Sequence, residues 1–91
     1  MVLATAKAAD FEQFWSVFST KGAEKRGQHG SKGAHVFRDP NDPDRYWAVF
    51  DWDEDGWRSF TSDPDVPAIF QQAGFTDGPP KSAEFLREHH A

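Results

Sequence analysis

The most informative stretch of this sequence is Tyr46–Trp52, which reads YWAVFDW. Successive side chains of a β-strand point to opposite faces of its sheet, so this stretch would present two sets of residues. One face would carry Tyr46, Ala48, Phe50 and Trp52, and the other Trp47 and Val49. Because both sets are apolar, we predict a third strand of the chain that needs cover on both of its faces.

Two further strands are predicted upstream of this stretch. Val2–Lys7 is apolar enough for a first strand, and Gly33–Arg38 is interpreted as a second. The intervening segment Asp39–Asp44 (DPNDPD) consists of residues that favour turns. We therefore expect an antiparallel hairpin with a loop of six residues between the second and third strands.

A first helix is predicted after Asp10, whose side chain can cap it, with its end at Gly27 or Gly30. Its apolar stripe would be formed by Phe11, Phe14, Trp15 and Phe18. Since the polar side chains fall largely elsewhere on the helix, this stripe is expected to cover one face of a sheet.

The second half of the chain predicts two more helical segments and a last strand. Acidic residues favour the first turn of a helix, so a helix should begin at Asp53–Asp55 and bury Trp57 and Phe60. A short segment from Pro67 to Ala73 should end at Gly74. Ser82–Glu88 is the predicted last strand, with Phe85 and Leu86 as its anchors. The resulting order is β-α-β-β-α-β, an α+β arrangement.

Length and composition limit the classes of function. Residues 1–91 suffice for a single domain, and one helical layer covers only one face of the third strand. The second apolar face therefore predicts a homodimer. A net charge of −5 disfavours nucleic acid and anionic membranes as partners, and the sequence lacks a signal or membrane segment, so a cytoplasmic protein is expected.

The sequence resembles a known group of proteins along most of its length. The resemblance is carried by Gly33–Pro43 (GAHVFRDPNDP), Val49–Trp52 (VFDW) and Ala73–Pro80 (AGFTDGPP), together with Asp10-Phe11 leading into Trp15–Phe18. These segments are similar to the antibiotic biosynthesis monooxygenase-like family of dimeric α+β barrels. The resemblance implies a ferredoxin-like protomer, with an antiparallel sheet and helices on one face, that joins a second protomer in a closed barrel.

The same resemblance implies a cofactor-independent monooxygenase that acts on a small aromatic or polyketide-derived substrate. In such enzymes a pocket between helices and sheet holds a phenol whose deprotonated form reacts directly with oxygen, without metal or flavin. The haem-degrading branch uses an Asn on the first strand and a His on the third helical segment, and this sequence has neither. Two alternatives stay open, a non-oxidative polyketide cyclase or isomerase and a non-catalytic ligand-binding dimer.

His35 and Tyr46 are the candidate catalytic residues. An imidazole that titrates near neutral pH suits proton abstraction from a phenol, and His35 is the one histidine predicted inside the sheet. Tyr46 would be a second polar contact to the same substrate. The alternative for His35 is a structural histidine that is exposed or simply hydrogen-bonded.

Four further residues are candidates for substrate binding. They are Trp15, Arg38, Phe60 and Phe70. The three rings would wall an aromatic pocket, although rings at such spacings are also typical of an ordinary core. Arg38 could stabilise an oxyanion, or it could anchor the hairpin loop by pairing with Asp39, Asp42 or Asp44.

Charged segments elsewhere are interpreted as structural. Asp51–Gly56 (DWDEDG) matches the start of a calcium loop, but Ser62 stands at position 12, where such a loop requires a bidentate Glu. The basic segment with Lys21, Lys25, Arg26 and Lys32 lacks the spacing of a phosphate-binding loop and is expected to be a solvated helix end.

The sequence therefore predicts a protein without a bound metal or haem. It has no cysteine, and the adjacent His89 and His90 would point in opposite directions on an extended tail. Elemental analysis and the visible absorption spectrum of the purified protein check this prediction. A Soret band, or a stoichiometric metal, would contradict it.

Overall fold

The computed structural model describes residues 1–90. They form a four-stranded antiparallel sheet with the strand order β2-β3-β1-β4. The strands are β1 (Val2–Lys7), β2 (Ala34–Asp39), β3 (Asp42–Phe50) and β4 (Lys81–Ser82). Helices lie between β1 and β2 and between β3 and β4, so the predicted α+β, ferredoxin-like fold is confirmed.

Helices cover one face of this sheet. Helix α1 (Phe11–Val17) continues through a π-helical turn (Phe18–Gly22) into α2 (Ala23–Gln28), and α3 (Glu54–Thr61) and α4 (Val66–Ala73) follow β3. The predicted helix starts after Asp10 and at Asp53–Asp55 and the predicted end at Gly74 are confirmed, whereas α4 begins at Val66 and not at Pro67. Asp10 accepts a hydrogen bond from Gln13 N at 3.1 Å, Asp53 accepts one from Gly56 N at 2.9 Å, and Gly74 ends α4 with a φ of 76°.

The strand register divides the sheet into two faces. On the inner face, under the helices, Ala4 lies opposite Ala48 and Val2 lies opposite Phe50. The other side, which we call the open face, carries Leu3, Thr5, His35, Phe37, Trp47 and Val49. The predicted division of the third strand is thus confirmed. Leu3 and Phe37 are 38% and 56% exposed, so the open face is apolar and uncovered within one chain.

The predicted hairpin loop is too long. β2 runs to Asp39 and β3 begins at Asp42, so that only Pro40 and Asn41 lie between them. The Asp39 carboxylate accepts hydrogen bonds from Asn41 N at 2.8 Å and from the indole N–H of Trp47 at 2.9 Å. These bonds stabilise a tight turn, which turn-favouring residue types alone did not distinguish from a longer loop.

The predicted ends of the last two strands are also wrong. Trp52 is buried but lies beyond the end of β3. β4 has two residues instead of the seven in Ser82–Glu88, and Phe85 and Leu86 are exposed rather than anchors. Because Ser82 pairs with Ala4, a strand continuing to Glu88 would pass the start of β1 at Val2 and find no residue of that strand to pair with.

A polar cluster connects the end of α2 to α3 and to the loop that follows α3. His29 Nδ1 lies 2.5 Å from Ser59 Oγ, and His29 Nε2 lies 2.9 Å from Asp63 Oδ2. Lys25 Nζ lies 3.0 Å from the same carboxylate, and Asp65 N donates to it at 2.9 Å. The backbone hydrogen bond from Asp65, followed by those from His29 and Lys25, holds the pKa of Asp63 well below its ordinary value.

This cluster predicts a stability that is lost in acid. A carboxyl group with a depressed pKa stabilises the folded state above its unfolded pKa of about 4, and this contribution disappears as the pH falls further. Asp63→Asn should therefore lower the free energy of unfolding at neutral pH, and the difference from the wild type should shrink below pH of about 4. Urea unfolding at neutral pH and at a pH of about 3 measures this difference, with Asp55→Asn, at an exposed carboxylate of α3, as the control. An undiminished difference in acid would contradict the assignment.

Candidate active site

An apolar cavity of about 60 Å³ lies between the inner face of the sheet and the helices. Its floor includes the small side chains of Ala4 and Ala48, from two adjacent strands. Its aromatic walls are Phe14, Phe18, Tyr46, Phe50, Trp57, Phe60, Phe70 and Phe75. Because small residues of the sheet face large rings of the helices, space is left between the two layers.

These rings hold one another in a continuous array. Phe14 stacks on Tyr46 with ring centroids 5.2 Å apart, and Phe18 lies 6.1 Å from Phe50. Phe70 contacts Phe60 at 6.0 Å. Such spacings are typical of favourable aromatic pairs. The cavity wall is thus built from side chains that also form the core.

A wider groove of about 660 Å³ adjoins the cavity and opens to solvent. The two spaces share Trp57, Phe70, Phe75 and Pro80 as lining residues. A cavity of roughly 150 Å³ is needed to bind benzene. In this conformation the cavity alone can therefore hold a substituent or a few water molecules, and the rings of an aromatic ligand would extend into the groove.

Tyr46 is a buried polar group of the cavity wall. Its oxygen accepts a hydrogen bond of 3.2 Å from Arg38 Nη2, and the guanidinium lies 5.5 Å from the centre of the Tyr46 ring. A phenolic oxygen that accepts from Arg38 keeps its own proton free for donation to another acceptor. Arg38 does not anchor the hairpin loop through an aspartate, which was the alternative for this residue.

The predicted substrate-binding residues fall into two groups. Phe60 and Phe70 line the cavity, as does the ring of Tyr46. Trp15 and Arg38 instead line an outer cleft of about 620 Å³ between α1 and β2, and Trp15 is 42% exposed. Tyr46 lies between the two spaces and lines both.

His35 is separated from these residues by the sheet. It pairs with Val49, so its side chain lies on the open face and is exposed, whereas Tyr46 is on the inner face. The hypothesis that His35 and Tyr46 contact one substrate in a single pocket of this chain is therefore wrong. The alternation of side chains along β2 places Val36 and Arg38, not His35, on the side of the sheet that carries the helices.

Arg26 is the polar residue of the cavity that the sequence analysis missed. It was expected at a solvated helix end, but it is only 7% exposed and lines the cavity. Phe18, Gly22 and Arg26 are spaced four residues apart, so they continue the apolar stripe of α1 along the same side of the helical segment. This spacing was the signal that could have placed Arg26 in the interior.

The polar cluster around His29 does not form a comparable site. Ser59, His29 and Asp63 have the residue types of a nucleophilic triad, but the imidazole nitrogens face Ser59 and Asp63 in the reverse of the usual order. The lining residues of the three pockets described above do not include Ser59, His29 or Asp63.

Residues 1–90 contain no group of His, Cys, Asp or Glu side chains that could hold a metal ion. No helix in this part of the chain is long and apolar enough to cross a membrane.

Comparison with known proteins gives matches in structure only. No family model matches the sequence, and no curated protein matches it. Crystal structures of SnoaB, a cofactor-independent oxygenase from Streptomyces nogalater, match with a TM-score of 0.66. A mutant form of SnoaB is 21% identical over 98% of this chain and 91% of SnoaB. The other SnoaB structure is 16% identical over 96% of this chain and 91% of SnoaB.

A "putative antibiotic biosynthesis monooxygenase" from Deinococcus radiodurans also matches with a TM-score of 0.66. It is 15% identical over all of this chain and 98% of that protein. At these levels of identity the likeness establishes the fold. This chain therefore has the α+β fold of the antibiotic biosynthesis monooxygenase-like proteins, as its sequence predicted.

Proposed function

We propose that this protein is a cofactor-independent monooxygenase that oxidises a small aromatic or polyketide-derived substrate. The observation that carries the proposal is the ring-walled cavity between helices and sheet, beside a wider groove that shares four of its lining residues. Ligand pockets are mostly apolar and contain few polar groups, and this cavity has that character. The fold shared with SnoaB, which is described as a cofactor-independent oxygenase, supports the same assignment.

The proposed reaction uses molecular oxygen as its only co-reactant. A substrate with an acidic C–H₂ group that is conjugated through an aromatic ring with a carbonyl loses a proton to solvent, and the resulting enolate supplies electrons to oxygen. One oxygen atom replaces the two hydrogens as a carbonyl, and the other leaves as water. The protein would exclude water, hold the rings in the groove and, through the Tyr46 hydroxyl, donate a hydrogen bond to the substrate oxygen.

Oxygen consumption tests this proposal directly. Anthrone and 1,8-dihydroxyanthrone, which carry such a C–H₂ group, should be oxidised to their quinones faster with the protein than in buffer alone. Ala48→Leu fills the cavity from its floor and should reduce the rate by at least about tenfold, because displaced substrates react slowly. The same substitution at exposed Ala68 on α4 is the control and should leave the rate unchanged.

Three results would contradict this assignment. Ala48→Leu could be as active as the wild type, the substrates could be converted without oxygen uptake, or they could raise the melting temperature without being converted. The second result would favour the cyclase or isomerase, and the third result would favour the ligand-binding dimer.

Tyr46→Phe and His35→Ala test opposite faces of the sheet. If the cavity is the site, Tyr46→Phe is the more damaging, whereas a loss of about hundredfold in His35→Ala alone would move the site to the open face.

We also propose that a second copy of this chain covers the open face. Leu3, Phe37, Trp47 and Val49 form an apolar surface there, and the helices of the chain all lie on the inner side. A sheet face of this kind is typical of a protein interface. Val49 lies on the open face, so in this proposal Val49, rather than Phe50, would meet the partner.

The dimer proposal predicts that a charge at Val49 is poorly tolerated. Val49→Glu should dissociate the dimer and also lower the melting temperature, because an unpaired carboxylate would be buried in the interface. Ala68→Glu, on the exposed side of α4, should do neither. Analytical ultracentrifugation measures the mass of both variants and of the wild type. A wild-type protein that is a stable, folded monomer in dilute solution would contradict the proposal.

A further inference from the structure

Arg26 is a buried cation with few partners. Its Nη2 donates one hydrogen bond, of 2.9 Å, to the carbonyl oxygen of Phe18. The guanidinium carbon lies 3.9 Å from the centre of the Phe18 ring and 5.5 Å from that of Phe50. None of the ion pairs formed among residues 1–90 includes Arg26. A guanidinium has five N–H donors, so most of them lack a protein acceptor.

The local backbone makes room for this guanidinium at the cavity. Gly22 lies one helical turn before Arg26, and a Cβ atom at position 22 would come within 2.9 Å of Arg26 Nη1. Gly22 itself belongs to the π-helical turn and also lines the cavity. Single π-helical turns within helices are frequent at functional sites. The turn, the glycine and the arginine thus form one arrangement beside the cavity.

The surroundings of Arg26 favour an anion over a neutral group. Arg26 is the only charged residue among those that line the cavity. Burial lowers its pKa to about 10, so the side chain remains a cation at neutral pH. A desolvated cation with free donors gains more from an anionic oxygen than an exposed one does, because water screens the charges less. The two phenylalanine faces offset only part of its lost hydration.

We propose that Arg26 binds the ionised oxygen of an acidic aromatic ligand, with that oxygen in the cavity and the rings in the adjoining groove. Arg26 lines the cavity but not the groove, while Trp57 and Phe70 line both spaces. A small cavity beside a large groove fits such a ligand, because the oxygen needs far less space than the rings. This inference rests on the proposed function for the identity of the site and adds a substrate class, the phenolates, enolates and aromatic carboxylates.

The role assigned to Arg26 is to stabilise charge and not to move a proton. The proton of the ligand hydroxyl passes to solvent, and the oxyanion that remains accepts hydrogen bonds from the guanidinium. This contact favours the ionised form of the ligand, which is the form that can react with oxygen.

A matched pair of ligands tests the charge preference. 2-Naphthoate and 2-naphthamide differ in charge but hardly in shape, and calorimetry measures the affinity of each. The wild type should prefer the carboxylate by at least about tenfold, as expected for a charge-assisted hydrogen bond. Arg26→Met, which keeps the packing of the side chain, should abolish this preference. Arg58→Gln removes an exposed arginine that pairs with Asp55 and should leave the preference intact.

A spectroscopic test uses the wild type and Arg26→Lys, and so does not depend on the folding of Arg26→Met. 4-Nitrophenol changes colour when it ionises, so its absorbance reports its pKa when bound. Binding should lower this pKa in the wild type and lower it less in Arg26→Lys, which keeps the charge but loses the planar donor array. Circular dichroism and thermal melting establish that each variant is folded.

Clear results would overturn the inference. These are equal affinity of the wild type for the two naphthalene ligands, no binding of 2-naphthoate at millimolar concentration, or an unchanged or raised pKa of bound 4-nitrophenol. None of these measurements involves oxygen. An anion preference that depends on Arg26, without any oxygen uptake, would therefore retain the anion site and reject the oxygenase. Oxygen uptake that persists in folded Arg26→Met would retain the oxygenase and reject the role of Arg26.

Discussion

The packing of large aromatic rings from the helices on alanines of the sheet is the interaction on which the rest of this structure depends. Only 37% of the residues are hydrophobic and 15% are aromatic, and six of the eleven buried hydrophobic residues in the described part of the chain carry rings. Phe14 and Phe18 reach Tyr46 and Phe50 across the layer, while Ala4 and Ala48 leave space beside them. The same packing thus holds the helices to the sheet and leaves the cavity that a ligand could use.

Two polar groups in or beside this aromatic core lack a full set of partners. The indole N–H of Trp52 is buried without an acceptor among the described residues, and nothing around it explains this. Arg26 uses few of its donors. A buried donor without a partner costs roughly 1–3 kcal/mol. Arg26 has few protein acceptors, and an anionic ligand in the cavity that it lines would supply a further one.

The period of two along the strands separates the chemistry of the two faces. His35, on the open face, and Tyr46, on the inner face, occupy strands that are directly paired. The inner face carries the cavity, and the open face carries the apolar surface proposed for a second copy of the chain. One sheet would therefore support ligand binding on one side and assembly on the other, and substitutions on either face can be examined separately.

The sequence by itself determined the features that depend on near neighbours in the chain. Asp10 and Asp53 cap helices, Gly74 ends one, and the alternation at Tyr46–Phe50 assigns the faces of β3, because capping and side-chain direction are local. Only the tertiary structure decided that β4 is short, that His35 lies opposite the cavity and that Arg26 is buried. These depend on strand register and on how the helices lie over the sheet, which arise from contacts between residues far apart in the chain.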